Sequence, residues 1–295
     1  MSETDRHWGL ILAGIAAFGF SFKAILIKLA YPYGIDAVTL LALRMSFALP
    51  IFLYVGLAAS MKLSPLMARD WGMVVVLGLF GYYGASILDF FGLQYVSAGL
   101  ERLILFTYPT LTLLFGVILH GTQITRKEWI SIALCYSGIA IAFMHDLRLS
   151  GDASSTLIGA GFVFGSAVCY AVYLTGSSGM IQRIGAARFT ALAMLVSTFA
   201  TLAHFLATQP LTQLIQPWPV YGYALTMAVF CTAVPVFAQS SAIRRIGSGR
   251  AAMVGMIGPL LTIGFAALLL NEGFSTAQML GAALVIGGIA IVSMK

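Results

Sequence analysis

Asp89 stands in "GASILDFFGLQY" (residues 84–95), a carboxylate inside an otherwise apolar stretch that begins near Trp71. A charge at mid-bilayer costs at least about 2.5–3.5 kcal/mol on insertion scales, so such an acid is expected to look into water or onto a cationic neighbour. On a helix, positions 82, 86 and 89 share one face, which lines up Tyr82, Ser86 and Asp89. Thr232 and Gln239 repeat that spacing later in the chain, and Ser166, Tyr170 and Tyr173 form a comparable stripe. The chemistry these groups suit is ion pairing and hydrogen bonding around a polar space shared by several helices.

Covalent chemistry fits them poorly. His7, His120, His145 and His204 sit at or near the ends of apolar segments, none with a carboxylate or second histidine at ligand spacing, and Asp89 has no acid partner for two-carboxylate catalysis. Cys135, Cys169 and Cys231 lie in three different apolar segments and read as free buried thiols. No catalytic residue, metal or cofactor is expected, and no P-loop motif offers ATP drive.

The elements that must position these residues follow from composition. Of 295 residues 60% are hydrophobic and 9% charged, against about 25% charged in soluble domains. Ten apolar stretches approach the roughly 20 residues that cross a bilayer as a helix: about 8–30, 36–59, 71–93, 98–119, 127–145, 157–176, 187–207, 218–242, 250–270 and 275–294. Period-2 alternation is absent, which argues against a barrel. The expected fold is all-α, a polytopic membrane bundle of ten transmembrane helices. The first segment, preceded by acidic residues and followed by no small-residue cleavage site, is expected to be retained.

The net charge of +6 is distributed by loop rather than gathered in a patch, which argues against a nucleic-acid partner. With the N-terminus inside, the inner ends hold Arg6, Lys62, Arg69, Arg126, Lys127, Arg183, Arg188, Arg244, Arg245, Arg250 and Lys295, and the outer ends only Lys28, Arg102 and Arg148. The positive-inside rule then places both termini in the cytoplasm, with the chain a multi-pass protein of a bacterial-type inner membrane. Trp8, Trp71, Trp129 and Trp218, each at a segment end, suit the interfacial belt.

Laid over itself at an offset of 150, the chain aligns Pro109 with Pro259, Thr112 with Thr262, Phe115 with Phe265, and "GIAI" at 138–141 with "GIAI" at 288–291. Residues 1–148 are read as one five-helix repeat and 149–295 as a second. Five crossings is an odd number, so the second copy enters the membrane from the opposite side, and the repeats are inverted. Inverted repeats around a midplane site are a transporter device, opening that site to one side and then the other.

The residues also resemble a known family. "LQYVSAGLERLILFTYPTLTLLFGVIL" in the first half, with "GPLLTIGFAALLLNE" and "GAALVIGGIAIV" in the second, looks like the repeat of the drug/metabolite transporter superfamily, specifically its ten-helix EamA-type exporters. The family's Glu after the fourth helix of each repeat is present as Glu272, whereas Thr122 stands at that place in the first copy. The resemblance implies an inner-membrane protein that moves small organic solutes such as amino acids outward.

The expected substrate-binding set is Lys23, Tyr82, Ser86, Asp89, Phe106, Thr107, Tyr170, Tyr173, Thr232 and Gln239. Aromatic density around these positions suits aromatic or large neutral amino acids, and also organic cations. A sugar-phosphate or nucleotide-sugar carrier would want cations in both halves, and the second half offers none clearly within a span, which favours a substrate of little net charge. Lys23, Arg44, Asp89, Glu101 and Arg102 all fall in the outer portion of the first half. They are read either as a gate holding the outer side shut or as a clamp in which Lys23 meets a substrate carboxylate and Asp89 its ammonium. Pro109 and Pro259 remove backbone donors at matching places, the kind of helix interruption that marks a transport site. The expected partners are a small-molecule substrate and the lipid bilayer, for a monomer or weak homodimer; small residues at four-residue spacing in the fifth and tenth segments are read as close helix contacts.

Overall fold

The structure is a computed structural model that describes residues 3–61, 65–120, 124–150, 152–255, 257–272 and 275–293. Lys62 and Lys295 of the charge pattern, and the side chain of Arg250, lie outside what it describes. The described chain is helical, without a strand. Its ten segments are α1 (Glu3–Ala30), α2 (Ala37–Ser60), α3 (Ala68–Gly92), α4 (Ala98–Leu105, then Tyr108–His120), α5 (Arg126–Ser150), α6 (Ala153–Ile184), α7 (Ala186–Thr208), α8 (Trp218–Ala228 continuing as Val234–Gly255), α9 (Gly258–Leu269) and α10 (Thr276–Ser293). The first eight are each long and apolar enough to cross a membrane, and α9 and α10 are shorter apolar helices.

Local chemistry sets the ends. Asp36 caps α2 by accepting from the amides of Val38 (2.9 Å) and Thr39 (3.0 Å), and Ser97 and Asp152 do the same for α4 and α6. Thr125 and Glu128 form a reciprocal capping box at the start of α5. The expected break between the eighth and ninth segments, near residues 243–249, lies further along: α8 runs on as helix to Gly255, and α9 starts at Gly258. Pro259 sits in the first turn of α9, where its missing N–H costs nothing but where a helix arriving from Gly255 cannot continue. Pro109 lies likewise just after the break in α4 at Phe106–Thr107.

The packing maps onto itself when the two halves are exchanged. α1 packs along α8 as α6 packs along α3, α1 meets α9 as α6 meets α4, and the pairs α2–α7, α4–α9 and α5–α10 are their own counterparts. A π-helical turn interrupts α3 at Leu79–Gly84 and α8 at Val229–Ala233, again at matching positions. This is the bundle of two inverted five-helix repeats, and exchange within it makes two modules that each draw on both halves: α3, α4, α6 and α7 on one side, α8, α9, α1 and α2 on the other.

The α5–α10 contact stands apart from these modules and depends on bare backbone. A Cβ on Gly138 would come within 2.5 Å of the Gly281 carbonyl oxygen, and one on Gly281 within 2.6 Å of the Gly138 oxygen. Gly138→Ala is therefore expected to cost about 1–3 kcal/mol, the usual penalty of overpacking a close contact, seen as a lower thermal midpoint in detergent. Gly287→Ala, on the same helix pair but with nothing within 4 Å of its Cβ, should leave the midpoint unchanged.

Candidate functional site

Between the two modules lies a chamber of about 170 Å³, lined by residues of α1–α4 and α6–α8. At the end remote from the start of α1, here the far end, its wall holds Lys23, Arg44, Ser86 and Arg102. Toward the near end the lining passes through Gln239 and Ser240 to Ile181, Ile243 and Ala251.

The far end is held by bonds that cross from one module to the other. Lys23 Nζ meets Asp89 Oδ2 at 2.6 Å, linking α1 to α3. Arg44 of α2 donates to the Ser86 hydroxyl of α3 at 3.0 Å, and the Tyr31 hydroxyl donates to the Phe90 carbonyl at 2.5 Å. At the near end the modules share a neutral bond, Thr190 Oγ1 to Ser240 Oγ at 3.0 Å, between α7 and α8. The other ion pair among the described residues, Arg183 with Asp70 at 3.2 Å, lies within one module, between α6 and α3.

Outside the far end of the chamber, a second polar cluster ties the halves together. Asp146 at the end of α5 accepts from Ser97 (2.5 Å) and from Gln278 of α10 (2.9 Å), and Glu272 accepts from the Ala98 amide at the start of α4 (3.3 Å). Burial raises the Glu272 carboxyl above the ordinary carboxylate range, while the Ala98 amide and Lys28 pull the other way. Gln278 and the Asp146 partnership carried no sequence signal, because an acid at a helix end usually meets water; only the approach of α10 to α5 encloses it.

Aromatic side chains make the remaining wall. The Tyr82 and Tyr173 hydroxyls are 2.8 Å apart, Tyr173 stacks on Tyr170 at 5.8 Å, and Tyr170 meets Tyr108 edge-on at 5.0 Å. The π turn in α3 brings Gly81 against the Tyr173 ring, where a Cβ would come within 2.3 Å of it. The turn's extra residue is thus what lets α3 and α6 close on each other beside the chamber.

Of the expected substrate-binding residues, Lys23, Tyr82, Ser86, Phe106, Tyr170, Tyr173, Thr232 and Gln239 line the chamber together. Asp89 does not: it is 1% exposed and lies behind Lys23. Thr107 does not either; its hydroxyl donates to the Ile104 carbonyl at 2.8 Å and satisfies the break in α4. Arg44 and Arg102, expected in a gating cluster, are part of the chamber wall, whereas Glu101 is fully buried beside Asp89. Pro109 and Pro259 sit at the two helix breaks without lining the chamber. The expected set omitted Met194, Ser177, Ser240 and Ala251, which also line the chamber; Ser177 continues the 166–170–173 stripe at helical spacing and Ser240 adjoins Gln239, whereas Met194 and Ala251 carry no polar signature.

Removing one partner of a buried ion pair strands the other charge, at a cost of about 3–5 kcal/mol. Asp89→Asn is accordingly expected to lower the thermal midpoint in detergent sharply. In a four-protein cycle, Lys23→Met with Asp89→Leu should be more stable than Asp89→Leu alone; a double variant as unstable as the sum of its singles would show that the pair does not couple.

Comparison with known proteins agrees with the architecture. The chain matches the EamA-like transporter family twice, over residues 7–144 and 157–294. It is 30% identical over 282 residues, 92% of this chain and 88% of the other, to the uncharacterized transporter YcbK of Bacillus subtilis. It is 21% identical to an uncharacterized transporter of Archaeoglobus fulgidus, covering 98% and 99% of the two chains. A crystal structure that is 17% identical superimposes with a TM-score of 0.70 over 97% of this chain and 96% of that one, which is a likeness of fold. A duplicated sequence, two modules exchanged by that duplication and a polar chamber between them are what this family match accounts for, and the chain belongs to the EamA-like transporter family.

Proposed function

We propose that this transporter exports small metabolites with a planar apolar body across the inner membrane by alternating access; the sequence points to aromatic or large neutral amino acids within that class. The observation that carries this reading is the chamber itself: it lies between modules built from both repeats, and bonds that cross between the modules stand at both its ends. Rocking of such modules about a fixed central site is the general route by which inverted repeats expose a site to alternate sides.

The charge pattern supports both termini on the cytoplasmic side. In that orientation the Lys23–Asp89 end faces the periplasm, and a solute enters for export from the end lined by Ile181, Ile243 and Ala251. The aromatic wall, with the Tyr82, Tyr170 and Tyr173 rings, suits a planar apolar body. Asp89, taken by Lys23 and set behind the lining, is poorly placed to trade a proton with a passing solute, which favours facilitated flux over proton exchange.

Two measurements test this. Purified protein in liposomes is expected to support counterflow, without ATP, of at least one solute in a labelled panel of aromatic amino acids and other small aromatic metabolites, and absence of flux for every solute in such a panel would overturn the reading. Thr190→Cys with Ser240→Cys, placed where the hydroxyls are 3.0 Å apart, in a background with the native cysteines replaced, should stop counterflow on oxidation and recover it on reduction. Full flux through a fully cross-linked protein would sink separation of these modules as the transport step.

A further inference from the structure

Among the described residues the chamber wall carries three cationic side chains, Lys23, Arg44 and Arg102, and no carboxylate. The acids next to it are Asp89, held by Lys23, and Glu101, which is fully buried. Three cations against two acids leave the chamber positive even if both acids are ionised. Neither arginine has a carboxylate within ion-pair distance, as the two ion pairs among the described residues involve other partners.

Both guanidinium groups are nevertheless taken out of solvent. Arg44 is 4% exposed and Arg102 7%, and the Nε of each meets no hydrogen-bond partner. Each lies over an aromatic ring, Arg44 at 5.0 Å from the Phe90 centroid and Arg102 at 5.2 Å from that of Phe106. A cation held over a ring face keeps donors for an oxyanion: Arg44 commits Nη2 to Ser86, and its Nε, like that of Arg102, is unfilled. A buried cation with unfilled donors is costly, and an anion delivered into the chamber removes that cost.

We infer that the substrate is a small monoanionic carboxylate with an apolar, planar body and no ammonium group, its carboxylate received by Arg44 and Arg102. This rests on the chamber being the transport site. The positive excess of the wall matches a single negative charge, and the described lining offers no acid to receive an ammonium; Asp89, the residue expected to do so, is already paired behind it. Organic cations and zwitterions would both bring a positive group into a chamber already positive.

Binding and transport separate the two readings. Detergent-purified protein is titrated with a series on one phenyl ring, 3-phenylpropanoate, phenylalanine and phenethylamine, following the shift in thermal midpoint, and the same three are then tried in counterflow. The expected order is propanoate well ahead of phenylalanine, with no effect of the amine. Arg44→Gln and Arg102→Gln should each weaken propanoate binding about tenfold or more, the loss expected for a hydrogen bond to a charged group. Arg44→Lys, which keeps the charge, serves as the folded control and should fall between. Equal or stronger stabilisation by phenylalanine or the amine overturns the inference, as does propanoate binding indifferent to both arginine changes or the absence of any shift with propanoate at millimolar concentration. Propanoate binding that follows the arginines without counterflow would instead count against the transport reading while upholding the anion site.

Discussion

A charge placed at membrane depth must find an opposite charge, a set of hydrogen bonds or water, and the interior of this protein is arranged around that demand. Lys23 and Asp89 answer it for each other at 2.6 Å, and in doing so they join α1 to α3 across the line where the two modules meet. The same position makes the pair a fastening: it cannot be undone without exposing two charges, so the modules part at that end only if water or another ion replaces the lost partner. Arg44 on Ser86 and Tyr31 on Phe90 add neutral acceptors to the same seam. One group of side chains therefore both satisfies the buried charges and joins the modules at that end.

The duplication gives a scaffold with nearly equal sides, yet the chemistry of the sides has diverged. Lys23, Arg44, Asp89 and Glu101 have as their repeat counterparts Tyr173, Met194, Gln239 and Ala251, so at these positions charge stands in the first half alone. Bonds to charged groups contribute about 1.5–3 kcal/mol each, neutral ones about 0.5–1.5, so a seam closed by an ion pair holds more firmly than one closed by a threonine–serine contact. The scaffold is thus symmetric and its fastenings are not.

Helix interruptions serve the same arrangement. The paired breaks before Pro109 and Pro259, and the paired π turns in α3 and α8, all lie beside the chamber or lead into it. Each loosens a helix where side chains of neighbouring helices must meet closely, as at Gly81 against Tyr173. Away from the chamber, α5 and α10 pack through glycines with regular backbone and hold the two halves together.

Sequence alone determined the class of fold, the ten segments, the duplication and the polar faces of three helices, because hydrophobic length and helical period are local properties that no tertiary contact has to supply. It also singled out the five charged residues of the first half. What it could not decide was which of them face the chamber, since all five occupy helix faces of similar outlook and their division depends on how neighbouring helices turn: Arg44 and Arg102 came to the wall, Asp89 and Glu101 behind it. Thr107 met its need within its own helix, and Asp146 found Gln278 only through the docking of α10 on α5. Period and composition tell a helix which side must avoid lipid; only the assembled bundle tells each polar group whether it ends against a partner or against open space.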